Sequence, residues 1–313
     1  MKHLFIINPA AGKYDHTKEY AQTVERVLRK YELEYEIALS TEQGDCEVIA
    51  RRAAETGEEL RIYACGGDGT LNEVVCGAAG FENAAITHFP GGSGNDFIKI
   101  FSETEPFHHL ERLLDCDETR VDLIRCNGRY SVNILSMGLD ARVGTEIAKY
   151  KRLPLVSGSG AYAMSLVVNL MKGLCQPMTV RVDGETVASG PQTLVCICNG
   201  RWYGGGYNPV PTAEPDDGLL DVLVVDKLSL VNVSSLLKKY QQGRWQECGD
   251  KIRHFRCRTA EILCEKESVV NVDGEALYTR RAEIEVVPKA LRFFYPKGLS
   301  YRAAGAEKFT VAT

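Results

Sequence analysis

The chain lacks any C-x-x-C pair, although eleven cysteines occur among its 313 residues. Histidine is scarce and scattered, at six residues. A zinc site needs several such ligands converging, so the cysteines read as small core residues of a reducing compartment. Cys196 and Cys198, two apart on a strand-like run, would face the same side. No apolar run is long enough to span a bilayer, and the short one before Asn8 is too brief for a signal peptide. A cytoplasmic location is expected. An excess of positive charge is also missing: 37 basic against 42 acidic residues leave a net charge of −5. Nucleic-acid binding by bulk charge is thereby excluded, while a local basic patch is not. Internal repeats and low-complexity segments are absent. So are the standard phosphate signatures. Gly12-Lys13 is followed by Tyr14, and Ile7 stands where a G-x-x-x-x-G-K-[ST] loop needs its first glycine. No G-x-G-x-x-G follows a strand either, so Walker-type NTPases and dinucleotide dehydrogenases both lose ground.

What the chain does have is alternation. HLFII, YEIAL, RIYAC and AITHF read as short buried strands. Between them, Ala21, Val24, Val27 and Leu28 recur at helical spacing, CEVIARRAAE follows a candidate N-cap at Asp45, and LNEVVCGAA starts a third helix. HHLERLLD reads as a fourth. Short strands alternating with helices predict an α/β domain with a parallel sheet over residues 1–121. From Val121 the texture changes. Asn127-Gly128 and Asp183-Gly184 each join two strand-like runs, which is a hairpin signal. Residues 122–290 therefore predict a mainly antiparallel β-sandwich, with helices over 161–174 and 229–240. The tail 291–313 is too short to stand alone and is expected to return to the first domain.

Three consecutive strand ends of the first domain are small or polar. They read Asn8-Pro9-Ala10-Ala11-Gly12-Lys13, Gly66-Gly67-Asp68-Gly69-Thr70 and Pro90-Gly91-Gly92-Ser93-Gly94-Asn95-Asp96. Ligands of parallel α/β sheets sit beyond the carboxyl ends of the strands. Glycines let the backbone approach closely and aim N–H groups at phosphate oxygens. One such loop is only a sharp turn, but three on one sheet point to a phosphorylated ligand. Asp68 would repel phosphates unless it holds a cation, orients water or accepts hydrogen bonds from the loop.

These motifs resemble the diacylglycerol kinase catalytic-domain family, in its soluble bacterial lipid-kinase branch, related to sphingosine kinases and more distantly to NAD kinases. The resemblance spans nearly the whole chain: INPAAGK at 7–13, GGDGTLNEVV at 66–75, PGGSGNDF at 90–97, PDDGLLDV at 215–222 and NVDGE at 271–275. It implies ATP as donor, with the nucleotide held by Asn8, Pro9, Ala10, Ala11, Gly12, Thr41, Gly66, Gly67, Asp68, Gly69, Thr70, Leu71, Asn72, Gly92, Ser93 and Asn95. It further implies Mg2+ on Glu214, Asp217 and the carbonyl of Leu219, a mixture of oxygen ligands that suits magnesium. A plain acidic turn before a strand is the bland alternative there. Many bacterial members read G-T-x-N-D-F-A-R at the third loop, whereas this chain has Ser93 and Lys99 in place of the threonine and arginine, which leaves substrate identity more open.

The resemblance makes Asp273 the general base for a lipid hydroxyl, with Glu275 orienting the base or the hydroxyl and Asp68 also catalytic. The residues alone leave Asp273 open, because Asp183-Gly184-Glu185 repeats its three letters in a hairpin turn. The basic run KIRHFRCR at 251–258 fits either anionic lipid headgroups or a charged edge strand. The glycine-rich loop 201–206, with Trp202 and Tyr203, fits a lid or membrane-touching element. The expected activity is ATP- and Mg2+-dependent phosphorylation of diacylglycerol or a similar lipid taken from the membrane surface, with homodimer formation open. A soluble-substrate kinase of the NAD kinase type and a non-catalytic nucleotide-binding regulator are the alternatives.

Overall fold

Residues 1–12, 14–92, 94–151 and 173–301 are described by a computed structural model of the chain. Lys13, Ser93, most of the helix expected over 161–174 and the tail beyond 301 lie outside them. Strands β1 (Lys2–Ile7), β2 (Tyr35–Leu39), β3 (Leu60–Gly66) and β4 (Ala84–Pro90) pair in parallel in the order β4-β3-β1-β2. Helices α1 (Thr17–Lys30), α2 (Asp45–Ala54) and α3 (Asp68–Ala78) connect them. Helix α1 buries Val24, Val27 and Leu28 as their spacing dictates, with Tyr20 buried in place of the half-buried Ala21. The N-cap of α2 is Gly44, with φ +90°, and not Asp45. Glu73 of α3 accepts the Gly44 and Cys46 amides instead, while the Asp45 carboxylate turns back to the amide and hydroxyl of Thr41. The fourth helix is shorter than its pattern, reduced to α4 (Leu110–Leu114) after a 3-10 turn at Glu105–His108.

The remaining strands are mainly antiparallel: β5 (Cys116–Cys126), β6 (Arg129–Ser131), β7 (Ile134–Gly138), β8 (Gln176–Val182), β9 (Glu185–Cys198), β10 (Leu220–Asp226), β11 (Ile252–Cys257), β12 (Thr259–Val272) and β13 (Glu275–Pro296). Helix α5 (Leu139–Lys151) follows β7, and α6 (Leu230–Gln241) lies between β10 and β11. Alternation splits the strands between two cores. Val195 and Ile197 of β9 join Leu135, Met137, Val222 and Val270, while Leu194, Cys196 and Cys198 face a second cluster with Leu223, Val225 and Tyr240. Cys196 and Cys198 do share a face, with their sulfurs 3.6 Å apart.

Strand β13 joins the two halves. It pairs with β12 at its start, and its last turn of residues runs parallel to β4 through Arg292 and Phe293. Phe293 and Phe294 are fully buried in the same core as Phe5, Tyr63 and Ile86. The register against β5 shifts between Val287 and Leu291, with Lys289 at φ +52°. Buried Asp122 of β5 fixes that irregularity, because its carboxylate accepts the Lys289 and Gly218 amides at 2.7 Å each. Thus one acid holds the crossing strand and the loop before β10 together.

Candidate active site

The three glycine loops meet at the carboxyl ends of β1, β3 and β4. The Asn8 side chain donates from Nδ2 to Thr70 Oγ1 at 3.0 Å, and the Gly91 backbone amide donates to Gly66 O at 2.7 Å. A Cβ on Gly92 would stand 2.5 Å from Gly67 Cα, so the second and third loops can touch only as glycines. Asn8, Pro9, Ala10, Ala11, Thr41, Gly67, Gly69 and Thr70 line one polar cleft of about 390 Å3 at the start of α3. Backbone amides at a helix N-terminus suit an anion. Gly12 takes φ +80° at the rim of the first loop and Gly66 ends β3. Leu71 and Asn72 are buried within α3, Leu71 against the core. Gly92 and Asn95 shape the third loop by bonding each other, Asn95 Oδ1 accepting the Gly92 amide.

A second pocket of about 340 Å3 lies between the domains and is lined by Asp68, Gly94, Asp96, Asp140, Asn271 and Asp273, among others. Asp68 opens α3 and its two oxygens accept the amides of Asn95 and Asp96. A Cβ on Gly94 would come within 2.4 Å of Asp68 Oδ2, so the loop wraps the carboxylate without a side chain between them. Burial pushes the Asp68 pKa up to about 6, and the neighbouring Asp96 charge adds to it against those two amide bonds. Asp96, itself buried, takes Lys99 Nζ and the Gly205 amide.

Asp273 sits in the turn between β12 and β13, at φ +47°. Its carboxylate accepts three amides from the β6–β7 link: Val132 at 2.8 Å, Asn133 at 3.1 Å and Ile134 at 2.7 Å. Burial holds its pKa above the ordinary carboxylate range, and those amides with the Ser131 hydroxyl work against it. Glu275 does not accompany it. Its side chain faces the polar cleft of Asn8 and Thr70 and accepts Gln43 Nε2 at 2.6 Å, so it cannot orient a base at Asp273.

The residues expected to hold magnesium carry other partners. Glu214 is buried against Arg201, Nη2 to Oε1 at 3.2 Å. Asp217 is paired with Arg256 and accepts the Leu219 amide at 3.0 Å. Two acids already neutralised by arginines are a poor donor set for a divalent cation, which needs uncompensated oxygens. Among the described residues no group of three or more acids, histidines or cysteines could hold a metal. Glu214 and Asp217, as paired here, do not fit the ion. The basic run 251–258 forms edge strand β11, where Arg253, His254 and Arg256 are paired with Asp226, Asp221 and Asp217. Charges on an edge strand discourage strand addition.

Sequence reasoning missed a third cavity. It is apolar, about 250 Å3, and lined by Leu139, Val143, Leu194, Val225, Leu236 and Ile252 among others. Asp140 and Tyr203 line both it and the interdomain pocket. Its signal in the sequence was Gly138 at the end of an apolar strand, followed two residues on by an acid. No helix of the described residues is long and apolar enough to cross a membrane.

A parallel sheet with glycine loops, joined by a cleft to an antiparallel β domain, defines a two-domain phosphotransferase. Residues 2–126 match the diacylglycerol kinase catalytic domain, and residues 133–295 match the YegS C-terminal NAD kinase beta sandwich-like domain. The chain belongs to the diacylglycerol kinase catalytic-domain family, in its YegS-like lipid-kinase branch. A candidate YegS-like lipid kinase of Chromohalobacter salexigens is 32% identical, with 92% of each chain covered. A candidate lipid kinase of Staphylococcus epidermidis is 29% identical over 82% of this chain and 84% of its own. The crystal structure of a candidate diacylglycerol kinase from Bacillus anthracis superposes with a TM-score of 0.75 at 26% identity, covering 96% of this chain and 98% of that one. An NAD kinase from Archaeoglobus fulgidus in complex with ATP shares the fold, at 14% identity, a TM-score of 0.51 and coverage of 95% and 94%.

Proposed function

We propose that this kinase transfers the γ-phosphoryl group of ATP to the hydroxyl of diacylglycerol or a similar lipid drawn from a membrane surface. Membership of a kinase family implies ATP as donor. The triphosphate lies in the polar cleft of Asn8–Ala11 and Gly67–Thr70, and the acceptor hydroxyl enters the interdomain pocket. Asp68 takes the hydroxyl proton as oxygen bonds the γ-phosphorus and ADP leaves. A base with a pKa near the working pH is the most effective, and Asp68 has one near 6. Asp273, whose carboxylate already accepts three amides, holds the wall of the pocket and places the β6–β7 link. It is a positioning residue more than a base.

The observation that carries this reading is the apolar cavity beside the acidic pocket, with Asp140 and Tyr203 in the walls of both. A phosphoryl acceptor without a hydrocarbon chain has no use for it. Purified protein, labelled ATP, magnesium and mixed micelles should give labelled lipid, with none on NAD. Label on NAD and on no lipid would overturn the assignment, as would ATP binding without turnover on any acceptor.

A further inference from the structure

Asp140 is the second residue of α5, which starts directly after Gly138, and Gly138 turns the chain at φ +108° against β9. A Cβ there would stand 2.5 Å from Thr193 O, so the turn that aims Asp140 tolerates only glycine. The residue lies in the wall shared by the apolar cavity and the interdomain pocket. Its Oδ2 has no solvent contact and no hydrogen-bond partner. Desolvation holds its pKa above the ordinary range, although the Ser136 and Tyr203 hydroxyls nearby pull it back. A buried carboxylate oxygen left without a donor costs stability, and such a cost is retained where a ligand removes it.

We propose that Asp140 is a specificity-determining residue that accepts a hydrogen bond from a second donor on the lipid head, next to the hydroxyl that is phosphorylated. The proposal rests on the lipid-kinase reading above and narrows its substrate class. A lipid with its chain in the apolar cavity and its head at Asp68 spans the wall that Asp140 shares with both. Diacylglycerol has a single hydroxyl, which goes to Asp68, and its ester oxygens only accept, so it leaves Asp140 Oδ2 unsatisfied. A head with an adjacent hydroxyl or ammonium satisfies both acids at once. Tyr203 lines the same wall as Asp140 and donates to or accepts from Tyr240 at 3.1 Å. It stands beside Gly204, Gly205 and Gly206, the first two at φ +59° and +78°, a backbone able to shift when the head arrives.

The test compares dioleoylglycerol, mono-oleoylglycerol and a sphingoid base as acceptors for the native chain, Asp140→Ala and Asp140→Asn. The native chain should prefer the two lipids with a second donor. Asp140→Ala should lower kcat/KM on the preferred lipid roughly 10- to 100-fold, mainly through KM, while dioleoylglycerol changes less than about threefold. Asp140→Asn, which keeps an accepting oxygen but no charge, should spare a hydroxyl donor and lose an ammonium donor. KM for ATP should stay unchanged and the melting temperature should not fall. An equal loss on all three lipids, or none on the two-donor lipids, overturns the proposal and leaves the kinase reading intact. A native chain that labels no lipid at all overturns both.

Discussion

Asp273 and Asp183 occupy the same turn in two different places. Both sit at left-handed φ, +47° and +46°, ahead of a glycine at +99° and +87°. Each carboxylate accepts amides from the neighbouring strand link, Asp183 from Arg258 and Thr259 at 3.0 and 2.9 Å. The hairpin role of the Asp-Gly-Glu letters is therefore real at both, and only Asp273 also lines the interdomain pocket. Substituting Asp183→Ala should lower the melting temperature by about 2–4 °C and leave kcat/KM within about twofold. Asp273→Ala should lower both, and calorimetry beside lipid phosphorylation separates the two cases. Equal catalytic losses at the two turns would argue against any special place for Asp273.

The pH profile follows from Asp68. Its folded pKa is raised to about 6, so the proton-accepting anion is lost as pH falls through that value and is fully present above it. The rate should thus fall tenfold per pH unit on the acid side. Asp96→Asn removes a like charge beside it and should move this limb to lower pH. A limb that stays fixed would mean that another group sets it.

Gly94→Ala tests how closely the third loop wraps that carboxylate. The added methyl would meet Asp68 Oδ2 at 2.4 Å and force the acid or the loop aside. Displacement by this much should cost roughly 10-fold or more in phosphoryl transfer. The melting temperature should change little, because the loop lies at the pocket rim. Unaltered transfer would place the reacting atoms elsewhere.

Asp217 is expected to act through Arg256 and not through a metal. Asp217→Asn leaves that guanidinium only the more distant Asp221, 3.6 Å away, and should lower the melting temperature by the same amount with and without magnesium. A ligand would behave differently, since an ion bound to the folded state alone stabilises it in proportion to its concentration. Melting curves over a magnesium series decide between them.

Much of this was legible in the residues. The three strand ends with glycines lie side by side because a parallel sheet puts every carboxyl end on one edge, which periodicity reveals. Asn127-Gly128 and Asp183-Gly184 named their hairpins because only such residues take positive φ cheaply. What stayed hidden is set by partners far along the chain. Glu214 and Asp217 look like free acids in the sequence, and the arginines that neutralise them are brought in by the 201–213 loop and by the pairing of β10 with β11. Glu275 follows Asp273 by two positions yet faces the other cleft. Asp140 is one acid in an apolar stretch, and nothing local shows that its oxygen lacks a donor.

Strand β13 has a consequence for synthesis. While a ribosome is still making the sandwich, β4 has an open rim where Arg292 and Phe293 will later dock. The nucleotide half must wait, with that rim bare, until the last strand has emerged, and it cannot close vectorially from its own residues. Slow or stalled translation between β4 and β13 therefore exposes an adhesive border, and chaperone demand should peak in that interval.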